Sequence, residues 1–406
     1  MSTRLRSFSK INLGLAVGPT RPDGFHALTT LYQTLALHDL VTVTARPAPR
    51  SSITLTSDHP GVPDTQRGDA EKNTAFRIVD PALRHLGLTA RVTIDIQKRL
   101  PVQGGLGAGS ANAAAALIGL EKELHLTVSG PARLALAAQV GSDVPLFLLG
   151  GSVLGLSRGE EVYPLPDLPV TPCVVAIPSV GVSTAAAFRA LDARPAQTVS
   201  SRPDARHTSD VSSRPEQDER GPRPAGWLGQ EVLRSGETRI SDASGTQSLT
   251  SAPNTSKLEQ LSRVLSAAWS PSGANLVANP QGTHKTQVSE LQEPSPSGIA
   301  GWSGDQAENP LLALVRTGIE NDFEQVVFHE HPSLRSTKRD LVGDSSVPEG
   351  SRAIYAALSG SGSALFGLYR SMADASAAQQ RVQSSGTQAL LTETLPRPEY
   401  WRTMLD

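Results

Sequence analysis

The sequence predicts an α+β protein of two domains. Its 406 residues contain 38% hydrophobic side chains, which is enough for two cores of ordinary size. Segments in which apolar and polar residues alternate, typical of strands, occur beside segments with the spacing typical of helices. A break at Pro164-Leu165-Pro166 separates two groups of such segments. We therefore predict a first domain over residues 1–170 and a second over residues 171–406.

Alternating apolar and β-branched residues predict the strands of the first domain. The first two segments are separated by the turn-forming Pro22-Asp23-Gly24, and the second segment fits either a strand or a helix. The predicted strands cover residues 4–18, 28–37, 40–44, 53–56, 92–96 and 153–156.

Helical spacing predicts three helices in the same domain. The first covers residues 73–86, where Pro81 is expected to kink or split it because proline lacks the N–H that a helix interior uses. The second begins at Ser110 and runs to about Leu124, and the third covers residues 134–140. The order around the second helix is therefore strand, glycine-rich loop, helix.

The second domain is predicted to contain two polar insertions, at about 195–256 and 271–306. Both are rich in Ser, Gly and Pro and poor in large apolar residues, so they cannot bury enough surface to offset their ordering entropy. We predict that they are disordered or loosely packed, either as tolerated surface insertions or as a partner-binding or phosphorylated segment. Periodic structure is expected between and around them, at 258–269 and 309–319, with strands at 174–177 and 364–369 and a helix at 184–191.

Charge and cysteine content limit the function classes. The formal charge of −2 offers no basic excess for a nucleic-acid backbone or an anionic membrane. Cys173 is the only cysteine, which excludes an intramolecular disulfide and suits a reducing compartment. The sequence has neither a signal-peptide pattern nor an apolar run of about 18 residues. We expect a soluble, cytoplasmic protein with small-molecule partners, and the sequence leaves the oligomeric state open.

A glycine-rich loop is the strongest functional motif. Glycines let the backbone approach an anion, and the N-terminus of the following helix favours phosphate. The loop has neither the Lys-Ser/Thr pair of a Walker loop nor a full dinucleotide fingerprint, and a simple tight connection is the alternative. The candidate phosphate-binding residues are Pro101, Val102, Gln103, Gly104, Gly105, Leu106, Gly107, Ala108, Gly109, Ser110 and Ala111.

Asp143 and Lys10 form a second candidate site. Asp143 precedes the apolar run Val144 to Phe147, and a carboxylate in such a place needs a cation or paired donors. Lys10 and Asn12 share one face of the first strand, so Lys10 is a possible partner. The alternatives are a turn-forming aspartate and an edge-strand lysine that faces water.

Taken together, these motifs resemble the GHMP kinase superfamily, and within it the kinases that act on a diphosphocytidyl-linked methylerythritol in isoprenoid biosynthesis. The resemblance covers most of the chain outside the insertions. It rests on Ser9-Lys10-Ile11-Asn12-Leu13, Arg21-Pro22-Asp23-Gly24-Phe25-His26 with Gln33, Lys98-Arg99-Leu100-Pro101, Asp143-Val144-Pro145, Gly159-Glu160, Val182-Ser183-Thr184, Asn321-Asp322-Phe323-Glu324 and Ser359-Gly360-Ser361-Gly362-Ser363.

The resemblance implies a fold, a reaction and a set of site residues. The expected fold has an N-terminal domain like domain 2 of ribosomal protein S5 and a ferredoxin-like C-terminal domain. The expected reaction is phosphorylation of the 2-hydroxyl of the methylerythritol by ATP with Mg²⁺, with Asp143 as the proton acceptor, held by Lys10. The residues expected to bind the substrate are Asn12, Phe25, His26, Asn73, Lys98 and Thr184, with His26 toward the cytosine edge and Phe25 stacked on its ring.

Three positions depart from the superfamily pattern, and two rival functions stay open. Ala111 stands where a second serine is common, Phe25 where tyrosine is frequent and Ser142 where alanine is usual. No protein ligand of Mg²⁺ is assigned, with Ser110 the only modest candidate. The first rival is a GHMP kinase for mevalonate, homoserine or a sugar, and the second is a catalytically silent nucleotide-binding relative.

Overall fold

A computed structural model describes residues 2–102, 104–193 and 320–406. All of them belong to one compact unit of the chain. The predicted insertions at 195–256 and 271–306, and the periodic segments at 258–269 and 309–319, lie outside these ranges. Within them no helix has the length and apolar character needed to cross a membrane.

The first sheet contains six strands among the described residues. Its order is β3-β4-β2-β5-β6, with β1 paired to β2 along the other edge. The β3–β4 pair is parallel and the other pairs are antiparallel. The strands are β1 Thr3–Thr20, β2 His26–Pro47, β3 Ser52–Ser57, β4 Ala90–Gln97, β5 Ser152–Leu156 and β6 Glu161–Pro164.

Strand β2 joins two segments that the sequence analysis separates. It runs unbroken from His26 to Pro47, so the predicted strands at 28–37 and 40–44 are one strand, and a helix over 28–37 is wrong. The reason is pairing along its whole length, with β1 on one edge and with β5 and then β4 on the other. The pairing of β1 with β2 shifts register between Phe8 and Ser9, which lets the two long strands stay paired past a local irregularity such as a β-bulge.

Helices α1 Thr74–Leu86 and α2 Ala108–Leu124 pack against this sheet, and α3 Gly130–Val140 packs on these two helices. Pro81 lies inside α1 without splitting it. Burial of the apolar face around it offsets the missing backbone hydrogen bond, since Ile78 and Ala82 are fully buried. Helix α2 begins at Ala108, two residues before the predicted Ser110, because Gly107 takes the left-handed conformation at its N-cap.

The second sheet contains four antiparallel strands, β7 Pro172–Ile177, β8 Tyr355–Leu358, β9 Leu365–Leu368 and β10 Gln388–Glu393. Their order is β10-β7-β9-β8, which is the order 4-1-3-2 of a ferredoxin-like unit. The helices of this part are α4 Thr184–Asp192, α5 Phe323–Glu330, α6 Ser333–Val342 and α7 Met372–Ser384. The last helix, α8 Arg397–Met404, packs on β1 of the first sheet, and its Tyr400 and Met404 belong to the core of that sheet. The division into two domains at residue 170 stays a prediction.

A cluster of buried side chains joins the two sheets. It contains Ile11 and Leu13 from β1, Leu31 and Leu35 from β2, and Cys173 from β7. Cys173 is fully buried, as expected of a lone cysteine in an apolar run, and burial raises the pKa of its thiol. This packing places the glycine-rich loop, β1 and the second sheet around a common cleft.

Candidate active site

Two cavities meet at the glycine-rich loop. The first has a volume of about 440 Å³ and is lined by this loop together with residues from Gly61 to Thr74 and Lys98. The second, of about 350 Å³, is lined by Lys10, Asp143 and residues of the second sheet's helices. Gly105 and Gly107 line both cavities. The two spaces therefore adjoin at these two glycines.

The glycines of the loop are required by their conformation and their neighbours. Gly105 and Gly107 have φ angles of +78° and +72°, a region that favours glycine. A Cβ atom at Gly107 would lie 3.0 Å from Cγ of Lys10 and 2.9 Å from the Phe147 ring. The loop leads into the N-terminus of α2, whose dipole favours an anion. This geometry suits a phosphate group. Gln103 lies outside the described residues.

The loop Ser359 to Ser363 packs on the glycine-rich loop from the second sheet. The Ser359 hydroxyl donates to the Gly105 carbonyl at 3.0 Å, and the Ala364 N–H donates to the Gly104 carbonyl at 3.3 Å. A Cβ atom at Gly105 would lie 2.2 Å from the Ser359 carbonyl oxygen, so no side chain fits between the loops.

Asn321 holds this second loop in place. Its amide donates to the carbonyls of Leu358 and Gly360 at 2.9 and 2.7 Å, and its side-chain oxygen accepts from the Phe323 N–H at 3.0 Å. Asn321 is buried. Asn321 therefore holds the Ser359 to Ser363 loop, and that loop in turn contacts the glycine-rich loop.

Lys10 and Asp143 form the predicted ion pair. The Lys10 Nζ lies 3.3 Å from Oδ2 of Asp143 and donates to Oδ1 of Asn12 at 2.6 Å. The lysine side chain is 3% exposed, whereas the aspartate side chain is 32% exposed and faces the second cavity. The pair is thus fixed on the lysine side and open to a ligand on the carboxylate side.

Asn12 connects this pair to β2. Its amide donates to the Thr30 hydroxyl at 2.8 Å, and that hydroxyl donates to the Gly14 carbonyl at 2.9 Å. Because its oxygen and nitrogen both have partners, Asn12 is held at one orientation. The prediction that Lys10 and Asn12 share a face of β1 is confirmed.

Tyr32 is a site residue that the sequence analysis did not find. Its hydroxyl donates to Oδ1 of Asp143 at 2.9 Å. Burial, followed by the nearby Asp143 carboxylate, raises the pKa of Tyr32 well above its usual value. The hydroxyl therefore stays protonated as a donor.

Asp39 is a second such residue, and it lies behind Lys98 and Asn112, which line the first cavity. It is fully buried and accepts from Lys98 Nζ at 2.6 Å, from the Arg99 and Leu100 N–H groups at 2.8 Å each, and from the Asn112 amide at 3.2 Å. It thereby fixes the chain immediately before Pro101 to the start of α2.

The structure separates Asn73 and Lys98 from the other predicted substrate residues. Both line the first cavity, whereas Asn12, Phe25, His26 and Thr184 line the second. The Asn73 side chain caps α1 by accepting from the Ala75 N–H at 3.0 Å. Lys98 is paired with Asp39. Asn73 and Lys98 therefore belong to the cavity of the glycine-rich loop.

His26 packs on an aromatic ring that the sequence analysis did not single out. Its ring stacks on Phe188 with centroids 5.1 Å apart. Its Nδ1 lies 3.1 Å from the Gly18 carbonyl oxygen and its Nε2 3.2 Å from Oδ1 of Asp192. The two ring nitrogens therefore already have protein partners, and the predicted contact of the imidazole with a cytosine edge would compete with them.

Phe25 and Thr184 lie at the rim of the same cavity. Phe25 is 54% exposed, and the guanidinium of Arg158 lies 5.1 Å from its ring centroid. The Thr184 hydroxyl accepts from the Ser361 hydroxyl at 2.9 Å. One open aromatic face and one hydroxyl are thus available near Lys10 and Asp143.

The described residues contain no group of three or more His, Cys, Asp or Glu side chains placed to hold a metal ion. A site without such a group is compatible with Mg²⁺, because this ion often keeps several waters and uses phosphate oxygens with one or two protein ligands. The Ser110 hydroxyl in the glycine-loop cavity is compatible with that mode.

Comparisons with known proteins agree with this geometry. Residues 73–151 match the family model described as GHMP kinases N terminal domain. The 4-diphosphocytidyl-2-C-methyl-D-erythritol kinase of Moorella thermoacetica is 41% identical over 201 residues, which are 49% of this chain and 67% of that protein. The chain belongs to this GHMP kinase family. The Solibacter usitatus protein of the same name is 40% identical over 190 residues.

Solved structures confirm the GHMP kinase fold. A 4-(cytidine 5'-diphospho)-2C-methyl-D-erythritol kinase matches with a TM-score of 0.55 at 23% identity, covering 96% of this chain and 98% of that one. The homoserine kinase from Cytophaga hutchinsonii matches with a TM-score of 0.56 at 16% identity, covering 98% and 96%. In sequence, this GHMP kinase matches only 57% of the length of the Solibacter protein, with 47% of its own chain in the match.

Proposed function

We propose that this chain transfers the γ-phosphoryl group of ATP to the 2-hydroxyl of 4-diphosphocytidyl-2-C-methyl-D-erythritol. One observation carries the proposal: a phosphate-binding loop and a Lys10–Asp143 pair face two cavities that share Gly105 and Gly107. Phosphoryl transfer needs a donor phosphate and an acceptor hydroxyl in contact, charge stabilisation and a proton acceptor. This arrangement offers adjoining places for the two substrates, a helix N-terminus and Lys10 for the charge, and Asp143 as the proton acceptor.

ATP occupies the first cavity in this proposal. Its phosphates lie on the glycine-rich loop and the N-terminus of α2, and Asn73 and Lys98 belong to the ATP side. Mg²⁺ neutralises phosphate charge when it is bound, and Ser110 is the residue that would hold it together with phosphate oxygens and water. Lys10 stabilises the ionised form of Asp143, and Asp143 takes the proton of the acceptor hydroxyl.

The cytidyl substrate occupies the second cavity. Support comes from the names of the relatives and from the aromatic rings of Phe25 and Phe188 that line this cavity. A base stacks on such rings, while Asn12 and Thr184 lie where they reach polar groups of the substrate. The buried lone cysteine and the small-molecule partners suit the cytoplasm as the place of action.

The proposal is tested by supplying the full chain with ATP, Mg²⁺ and the cytidyl substrate. ADP and a phosphorylated substrate in equal amounts are expected, and parallel reactions with mevalonate and homoserine should release little ADP. Turnover of homoserine or mevalonate in preference to the cytidyl compound would assign the chain to another GHMP activity. Absence of turnover with all acceptors would favour a silent relative.

Phe188→Ala tests the placement of the base. We expect the Michaelis constant for the cytidyl substrate to rise by roughly tenfold, because base–aromatic stacking contributes about 1–3 kcal/mol. The constant for ATP should change little, since Phe188 lines only the second cavity of the two. Steady-state kinetics with each substrate varied in turn measures both, and Phe25→Tyr, which keeps an aromatic face, is the control. An effect confined to ATP would place the base elsewhere.

A further inference from the structure

Both carboxylate oxygens of Asp143 have a fixed donor. Lys10 on β1 reaches Oδ2 at 3.3 Å, and Tyr32 on the adjacent strand β2 reaches Oδ1 at 2.9 Å. In the β1–β2 ladder Tyr32 is paired with Asn12, the residue that also binds Lys10. The two donors therefore come from the same small region of two paired strands, and their relative position is set by the backbone.

The space for Tyr32 is created by two glycines of the β5–β6 hairpin. A Cβ atom at Gly155 would lie 2.6 Å from Cε2 of the ring, and one at Gly159 would lie 2.6 Å from the hydroxyl oxygen. The space left by the missing side chain of Gly155 is needed by any aromatic ring at position 32. The space at Gly159 is needed by the hydroxyl, because the nearest ring carbon is 3.8 Å from that position, an ordinary contact distance. The hairpin thus accommodates the oxygen of Tyr32 specifically.

The Tyr32 hydroxyl is suited to act as a permanent donor. The residue is 2% exposed, and burial with the adjacent carboxylate keeps it neutral. The Lys10 ammonium lies 5.7 Å from the centroid of its ring, which adds a favourable cation–π contact. The three side chains of Lys10, Tyr32 and Asp143 therefore support one another.

We propose that Tyr32 is a positioning residue that fixes the rotation of the Asp143 carboxylate for proton transfer. The terminal torsion of an aspartate is broad, so a single contact with Lys10 leaves the carboxylate free to turn about it. A second contact on the other oxygen restricts this rotation and directs the remaining lone pairs to the cavity. This inference rests on the proposed role of Asp143 as the base.

Tyr32→Phe in the full chain tests this role. We expect kcat to fall by roughly tenfold, the order of effect of losing one hydrogen bond to a charged group. The Michaelis constants should change by less than about twofold, because Tyr32 is 2% exposed and its hydroxyl bonds to the carboxylate, so the loss is felt in the transition state. In an Asp143→Asn background the same substitution should lower kcat by less than about twofold. Tyr163→Phe, at a 49% exposed position on β6, is the matched control and should leave kcat unchanged.

An equal loss in both backgrounds would show that Tyr32 acts by packing alone, and an unchanged kcat in the wild-type background would also overturn the proposal. The comparison uses whichever acceptor alcohol the wild-type chain phosphorylates, so inactivity toward the cytidyl compound counts against the proposed function and not against Tyr32. If no acceptor is found, the ¹³C carboxyl shift of labelled Asp143 is compared between wild type and Tyr32→Phe. An unchanged shift then rejects the contact.

Discussion

Asp143→Asn is expected to lower turnover by roughly two or more orders of magnitude. Asparagine keeps the shape of the side chain but cannot take a proton from the acceptor hydroxyl. The affinity for ATP should be nearly unchanged, because Asp143 lines the second cavity and the glycine-rich loop lines the first. Single-turnover rates and nucleotide-binding titrations measure the two effects separately.

The control for this substitution is Asp344→Asn. Asp344 is an exposed carboxylate that follows α6 and lines neither of the two cavities. It should leave turnover unchanged. Near-normal turnover of Asp143→Asn would remove Asp143 from the mechanism and leave the Lys10 pair with a structural role only.

Asp39→Ala is expected to lower the free energy of unfolding by about 3–5 kcal/mol. The substitution leaves the Lys98 ammonium, which is 5% exposed, without its carboxylate, and it removes the acceptor of two backbone N–H groups. A buried charge and buried donors without partners each cost free energy. Urea denaturation followed by circular dichroism measures the change.

The exposed pair of Asp80 and Arg84 on α1 provides the comparison. The Arg84 side chain is 72% exposed and the Asp80 side chain 44%, and Asp80→Ala should cost no more than about 1 kcal/mol. If the two substitutions have similar effects, the Asp39 network contributes no more than a surface pair does. The nucleotide affinity of Asp39→Ala would then separate a role in holding the loop from a role in stability.

Local patterns were sufficient to predict several parts of the structure and site. The alternation around Lys10 predicted the strand and the shared face with Asn12, and the glycines predicted a loop that leads into α2. These features depend on residues that are close in sequence, so their spacing contains the information. The pairing of Lys10 with Asp143 is a long-range contact that the residues alone offered as one possibility and that the resemblance to the GHMP kinases implied.

Other parts were missed because their cause lies in tertiary contacts. Tyr32 and Asp143 are 111 positions apart, and nothing beside Tyr32 in the sequence distinguishes it from a core aromatic residue. Asp39 precedes a run typical of a strand, and its four donors arrive from other elements. The joining of two predicted strands into β2 depends on partners on both edges, which no window of sequence contains.

The two cavities adjoin at Gly105 and Gly107, and this closeness constrains the distance between the two bound substrates. Reacting atoms in a productive complex approach to roughly 3–3.5 Å. Under the proposed reaction the phosphoryl group passes beside these two glycines. A side chain at either position would collide with its surroundings, because a Cβ atom at Gly105 would lie 2.2 Å from the Ser359 carbonyl oxygen and one at Gly107 would lie 2.9 Å from the Phe147 ring. Relief of either collision would shift the backbone between the two cavities, so these glycines would control the separation of donor and acceptor as well as the affinity for the nucleotide.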